Sequence, residues 1–201
     1  MNELTIEQQD LVAMRLAGLG STSDDSGIGR AGRPANGRLA ASFGQRQLWF
    51  LEQLMPGTHM HTVRNLWSID GPLDIPALRH ALNTIWQRHD ALRVAFHDDG
   101  GEPYAAVGAP RPIGLDVVDL TGRTPDAARA EAERSAAEDA AQGFDLSSGR
   151  LVRVRLFVLS PDHHLLMMNM HHTVIDGWSM GVLWRELSMI YTAFTTGHPS
   201  P

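Results

Sequence analysis

Two runs of strand-forming residues, Arg150 to Leu159 and His164 to Met170, are joined across Ser160-Pro161-Asp162. So short a connection sets them side by side as hydrogen-bonded neighbours. Beyond them Met180, Leu183, Leu187, Ile190 and Phe194 recur at helical spacing, and the stripe runs out at Gly197 and Pro199. A strand pair that feeds an amphipathic helix requires a layered α/β arrangement in which helices cover a sheet. In the turn between the pair and the helix stand His171, His172, Asp176 and Gly177. Such strand-to-helix turns are where scaffolds present reactive side chains.

The upstream chain fits the same class. Leu48, Leu51 and Leu54 predict a helix that stops at Met55-Pro56-Gly57. Val63 to Ile69 reads as a strand broken by Gly71-Pro72, and Asp74 caps a helix with Leu78, Leu82 and Ile85 on one stripe. Leu92, Val94 and Phe96 alternate with Arg93 and Ala95, which predicts a strand with Arg93 turned away from the apolar face. Asp99-Gly100-Gly101 is a hairpin turn into a strand over Glu102 to Val107, and Gly114 to Leu120 is a further strand. Thr124 and Pro125 open an Ala/Glu-rich helix that Gly143 ends. The predicted helices cover one face of a mixed sheet. At the start, residues 1–20 predict a short helix with Thr5 and Gln8 at capping-box spacing, and residues 21–38 a flexible linker too poor in apolar side chains to offset its ordering entropy. The globular part is placed at residues 39–201.

Composition removes several functions. With 201 residues and 43% hydrophobic content the chain can bury the core of one domain. A net charge of -6, with 17 scattered Lys and Arg, lacks the basic footprint of a nucleic-acid binder. There is no cysteine, hence no disulfide, no thiolate metal site and no cysteine nucleophile. No apolar run is long enough to span a bilayer and the first ten residues do not read as a signal peptide, so a cytoplasmic protein is expected.

Three chemistries compete for the histidine pair. Two histidines at a strand end can be merely solvated or hydrogen-bonded, with Asp176 near a helix start. Two imidazoles and a carboxylate can form a facial metal triad, but adjacent strand residues point to opposite faces and do not easily share one ion, so no metal is expected. A single imidazole, titrating near neutrality, can accept or position a proton while Asp176 fixes local geometry.

The stretch Met170 to Ser179, MHHTVIDGWS, resembles the His-His-x-x-x-Asp-Gly signature of condensation domains of nonribosomal peptide synthetases and their relatives with the chloramphenicol acetyltransferase fold. Ser42 to Leu51, SFGQRQLWFL, is similar to that family's first motif and Arg88 to Phe96, RHDALRVAF, to its second. Phe144-Asp145-Leu146 and Arg150 to Arg153 look like its lead-in to the histidine strand. The resemblance implies the N-terminal half of a two-layer chloramphenicol acetyltransferase-like sandwich.

It also implies roles. His172 would be the catalytic residue, as general base or as hydrogen-bond positioner for an attacking amine. His171 would be scaffold, Asp176 a brace salt-bridged to Arg93, and Gly177 the source of backbone room and of an amide for an oxyanion. Trp178 and Ser179 belong to the same motif as candidate substrate-lining residues, read as packing and helix start, whereas Arg46, Trp49 and Arg88 hold the fold. His163 and His164 are expected in solvent at a hairpin tip, and His59 and His61 stand where the family often has Tyr-Asn. The implied reaction joins a donor acyl thioester, most similar to the L-donor subtype, to an acceptor aminoacyl thioester. Both travel on the phosphopantetheine arms of carrier domains, beside an adenylation domain, with no directly bound cofactor. The family's second subdomain is expected to be absent here, leaving these residues incompetent alone, and the leading helix is a docking element or a plain leader. A stand-alone acyl-CoA-dependent acyltransferase and a noncatalytic recruiting domain remain the alternatives.

Overall fold

The computed structural model describes Pro34 and residues 36–201, so the helix expected over residues 1–20 and most of the expected linker lie outside the described residues. The linker's last residue, Arg38, is already in a strand.

The two apolar runs form β7 (Val152–Ser160) and β8 (His163–His171), antiparallel from Val152 opposite Met170 to Ser160 opposite His163. On its other edge β8 pairs end to end with β2 (Thr62–Val63) and β3 (Leu66–Asp70). The single expected strand over Val63 to Ile69 is split at Asn65, whose carbonyl accepts the Met168 amide at 2.9 Å. β6 (Leu115–Asp119) runs parallel to β7 on the far edge and completes a mixed five-stranded sheet. Parallel neighbours need a crossover, and the connection here contains α3 (Pro125–Ala141). A second, three-stranded sheet orders β1 (Arg38–Ala40), β5 (Glu102–Val107) and β4 (Val94–Asp99). Its β4–β5 hairpin closes on Gly100 and Gly101, at φ of 66° and 94°, a tight turn whose positive dihedrals glycine adopts without a Cβ penalty.

Caps define the remaining helices. Ser42 and Gln45 form a reciprocal capping box at the start of α1 (Phe43–Leu54). The Asp74 carboxylate accepts the Ala77 amide at 2.9 Å ahead of α2 (Ile75–Arg88). The last helix, α4, spans Gly177–Thr195 and is capped by Asp176. Thr124 precedes α3 without a side-chain cap bond.

The expectation of helices on one sheet face is corrected: both faces are covered. Val152, Val154 and Leu156 of β7 join Leu166, Met168 and Met170 of β8 in the main core with Leu78, Leu82 and Ile85 of α2 and Leu183, Leu187 and Ile190 of α4. On the other face Phe157, Leu159, Leu165 and Met167 pack on Ala128, Ala132 and Ala136 of α3. The alanines recur every four residues, a narrow stripe that lets α3 lie close to the sheet. At the end of that stripe lies a polar network. Asp139 Oδ1 accepts from Arg153 Nε at 2.9 Å and from Asn169 Nδ2 at 2.7 Å, and the Arg153 guanidinium stacks 3.9 Å over Phe144. The sequence of β8 makes it rich in buried thioethers, with Met167, Met168 and Met170 all 2% exposed or less.

His164 also departs from expectation. It is 3% exposed rather than solvated, because it is the second residue of β8 and its side chain shares the core face with Leu166 and Met168. Burial pushes its pKa below the usual histidine value. His163, at the strand start, hydrogen-bonds Asp70 at 2.6 Å near the surface.

Candidate active site

β8 ends at His171, and the next five residues turn the chain into α4. Strand alternation separates the two histidines: His171 is 1% exposed, whereas His172 faces solvent. The His172 backbone amide donates to the His61 carbonyl at 2.9 Å, one step beyond the β2–β8 ladder. His172 lines a cleft of about 490 Å³ with Ser42, the cap of α1, with Gln45 and Leu48 of α1, and with Asp176 and Ser179 at the head of α4. Gln45 Nε2 donates to the Thr173 carbonyl at 3.1 Å and ties α1 to the histidine loop.

Asp176 is the N-cap of α4. Its carboxylate accepts the Ser179 amide at 2.7 Å, and the Ser179 hydrogen bonds, ahead of the nearby His172, hold its pKa below the usual aspartate value. Gly177 is the first residue of the helix, and a Cβ there would meet nothing within 4 Å. Ser179 is a helix-start residue, as expected. Trp178 is 86% exposed, which corrects its reading as packing: the first turn of α4 directs it away from the core.

The expected Arg93–Asp176 salt bridge is not present. Asp90 to Arg93 form a 3-10 turn instead of a strand, and Arg93 is 6% exposed. Its guanidinium donates to the carbonyls of Trp86 at 2.5 Å and Gln87 at 2.8 Å, to Gly108 at 3.2 Å, and to the Asp90 carboxylate at 2.5 Å. The open carbonyls at the end of α2 attract a cation, and Arg93 closes that helix rather than bracing the histidine loop.

Beneath His172 lies a cluster that the sequence did not single out. Glu52 of α1, 6% exposed, accepts on one oxygen from His61 Nδ1 at 3.0 Å and from His171 Nε2 at 3.3 Å. The Thr173 backbone amide donates to His171 Nδ1 at 3.2 Å, and the Thr173 hydroxyl lies 2.9 Å from the same nitrogen. A nitrogen that accepts an amide carries no proton, so His171 is the neutral tautomer protonated at Nε2. Burial, opposed by Glu52, holds its pKa below 6.5. The folded state then binds fewer protons than the unfolded chain below about pH 6.5, and stability falls as pH drops through that value. Thermal unfolding between about pH 6.5 and 5.5, above the range of ordinary carboxylates, is expected to show a declining midpoint, with a shallower decline in His171→Asn. The buried His164 contributes in the same direction.

A site with one exposed imidazole above a cleft, and with helix amides beside it, can handle a proton next to a developing oxyanion. The family model described as Condensation domain matches residues 35–201, which contain every residue of this site. The chain belongs to the condensation-domain family. It is 37% identical over 189 residues to a linear gramicidin synthase polypeptide of Brevibacillus parabrevis, covering 94% of this chain and 2% of that protein. With phosphinothricin tripeptide synthetase PhsC of Streptomyces viridochromogenes it shares 41% identity over 196 residues, covering 96% of this chain and 18% of that one. Among solved structures, the first condensation domain of the calcium-dependent antibiotic synthetase, in complex with a substrate analogue, matches with a TM-score of 0.76 and 31% identity, over 82% of this chain and 39% of that one. The starter condensation domain of rhizomide synthetase RzmA has the same fold, with a TM-score of 0.75 at 23% identity, over 82% of this chain and 41% of that one. The chain thus spans about two-fifths of these solved condensation domains and a small part of the curated synthetases. No helix among the described residues is long and apolar enough to cross a membrane.

Proposed function

We propose that this chain supplies the histidine-bearing half of a condensation domain, which forms an amide between two carrier-bound thioesters in nonribosomal peptide synthesis. The observation that carries the reading is His172: an exposed imidazole, fixed through its backbone, at the edge of a cleft shared with the cap and first turn of α4. The acceptor amine adds to the donor thioester carbonyl, a C–N bond forms as the C–S bond breaks, and the amine proton ends on the departing pantetheine thiolate. His172 takes up or orients that proton, and the Gly177 amide at the head of α4 faces the developing oxyanion. Tethering both substrates on carrier arms makes positioning a large part of the catalysis. The motif wording favours an L-configured donor. Donor and acceptor carrier domains, an adjacent adenylation domain and the second condensation subdomain are the proposed partners, and the cytoplasm the proposed compartment.

A full-length condensation domain containing these residues, given an acyl-loaded donor carrier and an aminoacyl-loaded acceptor carrier, is expected to leave the amide product on the acceptor. Intact-protein mass spectrometry reads that transfer. Equal product from acyl-CoA with the donor carrier omitted would overturn the carrier-to-carrier reading.

A further inference from the structure

The strand beside His172 is short and lies at the sheet edge. β2 contains only Thr62 and Val63, and the bond from the His172 amide to the His61 carbonyl extends its ladder by one rung. A two-residue edge strand frays readily unless side chains anchor it. Val63 packs against the main core, and at the His61 end the side-chain anchor is a single carboxylate oxygen. Glu52 receives the ring of His61, whose carbonyl holds the His172 amide, and the ring of His171, whose backbone leads directly into His172.

We propose that Glu52 is a positioning residue for His172: by accepting from His61 and His171 together it locks the backbone from which the His172 imidazole projects. The inference rests on the catalytic reading of His172. Glu52 lies in α1, which also contributes Gln45 and Leu48 to the cleft, so the same helix shapes the cleft and sets the histidine.

The same three side chains place their donor atoms within 4.8 Å of one another, a spacing a transition-metal ion would also accept. The Thr173 amide decides for the hydrogen-bonded form. It occupies His171 Nδ1 and leaves the proton on Nε2, the nitrogen a metal would need bare.

Amide hydrogen exchange on the 201-residue chain tests the brace without substrate, so it stands or falls separately from the role of His172. Glu52→Met, similar in volume but without an acceptor, is expected to speed exchange of the His172 amide by about 10-fold or more while the Leu166 amide is unchanged. Glu52→Gln keeps one acceptor oxygen and is expected to recover most of that protection. In the full-length domain Glu52→Met should lower kcat by roughly 10- to 100-fold with KM little changed, and the Gln variant should recover most of the loss. Unchanged His172 exchange in Glu52→Met would overturn the proposal, as would equal losses of kcat in the Met and Gln variants. Should the Met variant not fold, the nitrogen shifts of the His171 ring in the native chain decide: a protonated Nε2 is the expected result and a bare one refutes the brace. Visible cobalt(II) bands that disappear in Glu52→Gln would identify a metal site and refute it too.

Discussion

Replacing His172 by alanine in a full-length condensation domain is expected to lower kcat for carrier-to-carrier condensation by roughly 10²- to 10⁴-fold, the usual contribution of a positioned acid or base. Stability should change by no more than about 0.5 kcal/mol, as for an ordinary surface position. The two halves of the expectation have separate structural causes. The imidazole is exposed in the cleft, so its removal leaves no cavity, and the structural bond at this residue is the backbone amide to His61, which alanine retains. Steady-state assays with loaded carriers, beside thermal melts, check both. His172→Gln separates the chemical roles: a glutamine amide can orient an amine but does not take up its proton, so activity near the alanine level identifies a base. Undiminished condensation in His172→Ala would remove the residue from the mechanism.

Asp139→Ala is expected to cost about 3 kcal/mol of folding stability, a large part of the 5–15 kcal/mol typical of a domain. Asp139 is buried and serves two donors at once, Arg153 Nε and Asn169 Nδ2. Removal leaves an arginine and a buried amide short of acceptors between α3 and the sheet, and an uncompensated charge costs more than the pair contributed. The side chain of Arg153 is 28% exposed, which places the loss at the lower end for buried pairs. Urea denaturation reads it as a lower midpoint with an unchanged slope. A loss under about 1 kcal/mol would show that Arg153 finds its compensation in water and in the Gly143 and Asp139 carbonyls alone.

Apolar periodicity was enough to place β7, α1, α2 and α4, a continuous apolar run placed β8, and turn or cap signals placed β5 and α3. What periodicity misread was decided by partners distant in the chain. The arginines of β7 alternate with valine and leucine, which suggests a wet face, yet Arg153 and Arg155 reach Asp139 and Ser135 of α3 and the face is covered. Arg93 fits a strand pattern, but the unfilled carbonyls of α2 draw it into a 3-10 turn, a demand no alternation expresses. Glu52 looks like one more charge on an exposed helix until His171, 119 residues away, arrives beside it. The histidine motif points to His172 from within one turn, while the cluster beneath it is built from α1, β8 and the chain leading into β2.

The thioethers of β8 carry a chemical consequence of the way the hairpin is packed. Met167, Met168 and Met170 are sealed between helices, whereas Met55, Met60 and Met189 are 43% or more exposed. An oxidant in solution therefore reaches the two groups by different routes, the outer sulfurs directly and the inner ones when the hairpin opens. Once an inner sulfur becomes a sulfoxide, a polar oxygen has no place between the layers and the sheet cannot close over it. Peroxide is then expected to oxidise the rim sulfurs first, and to destabilise the fold once it reaches the strand that leads into His172.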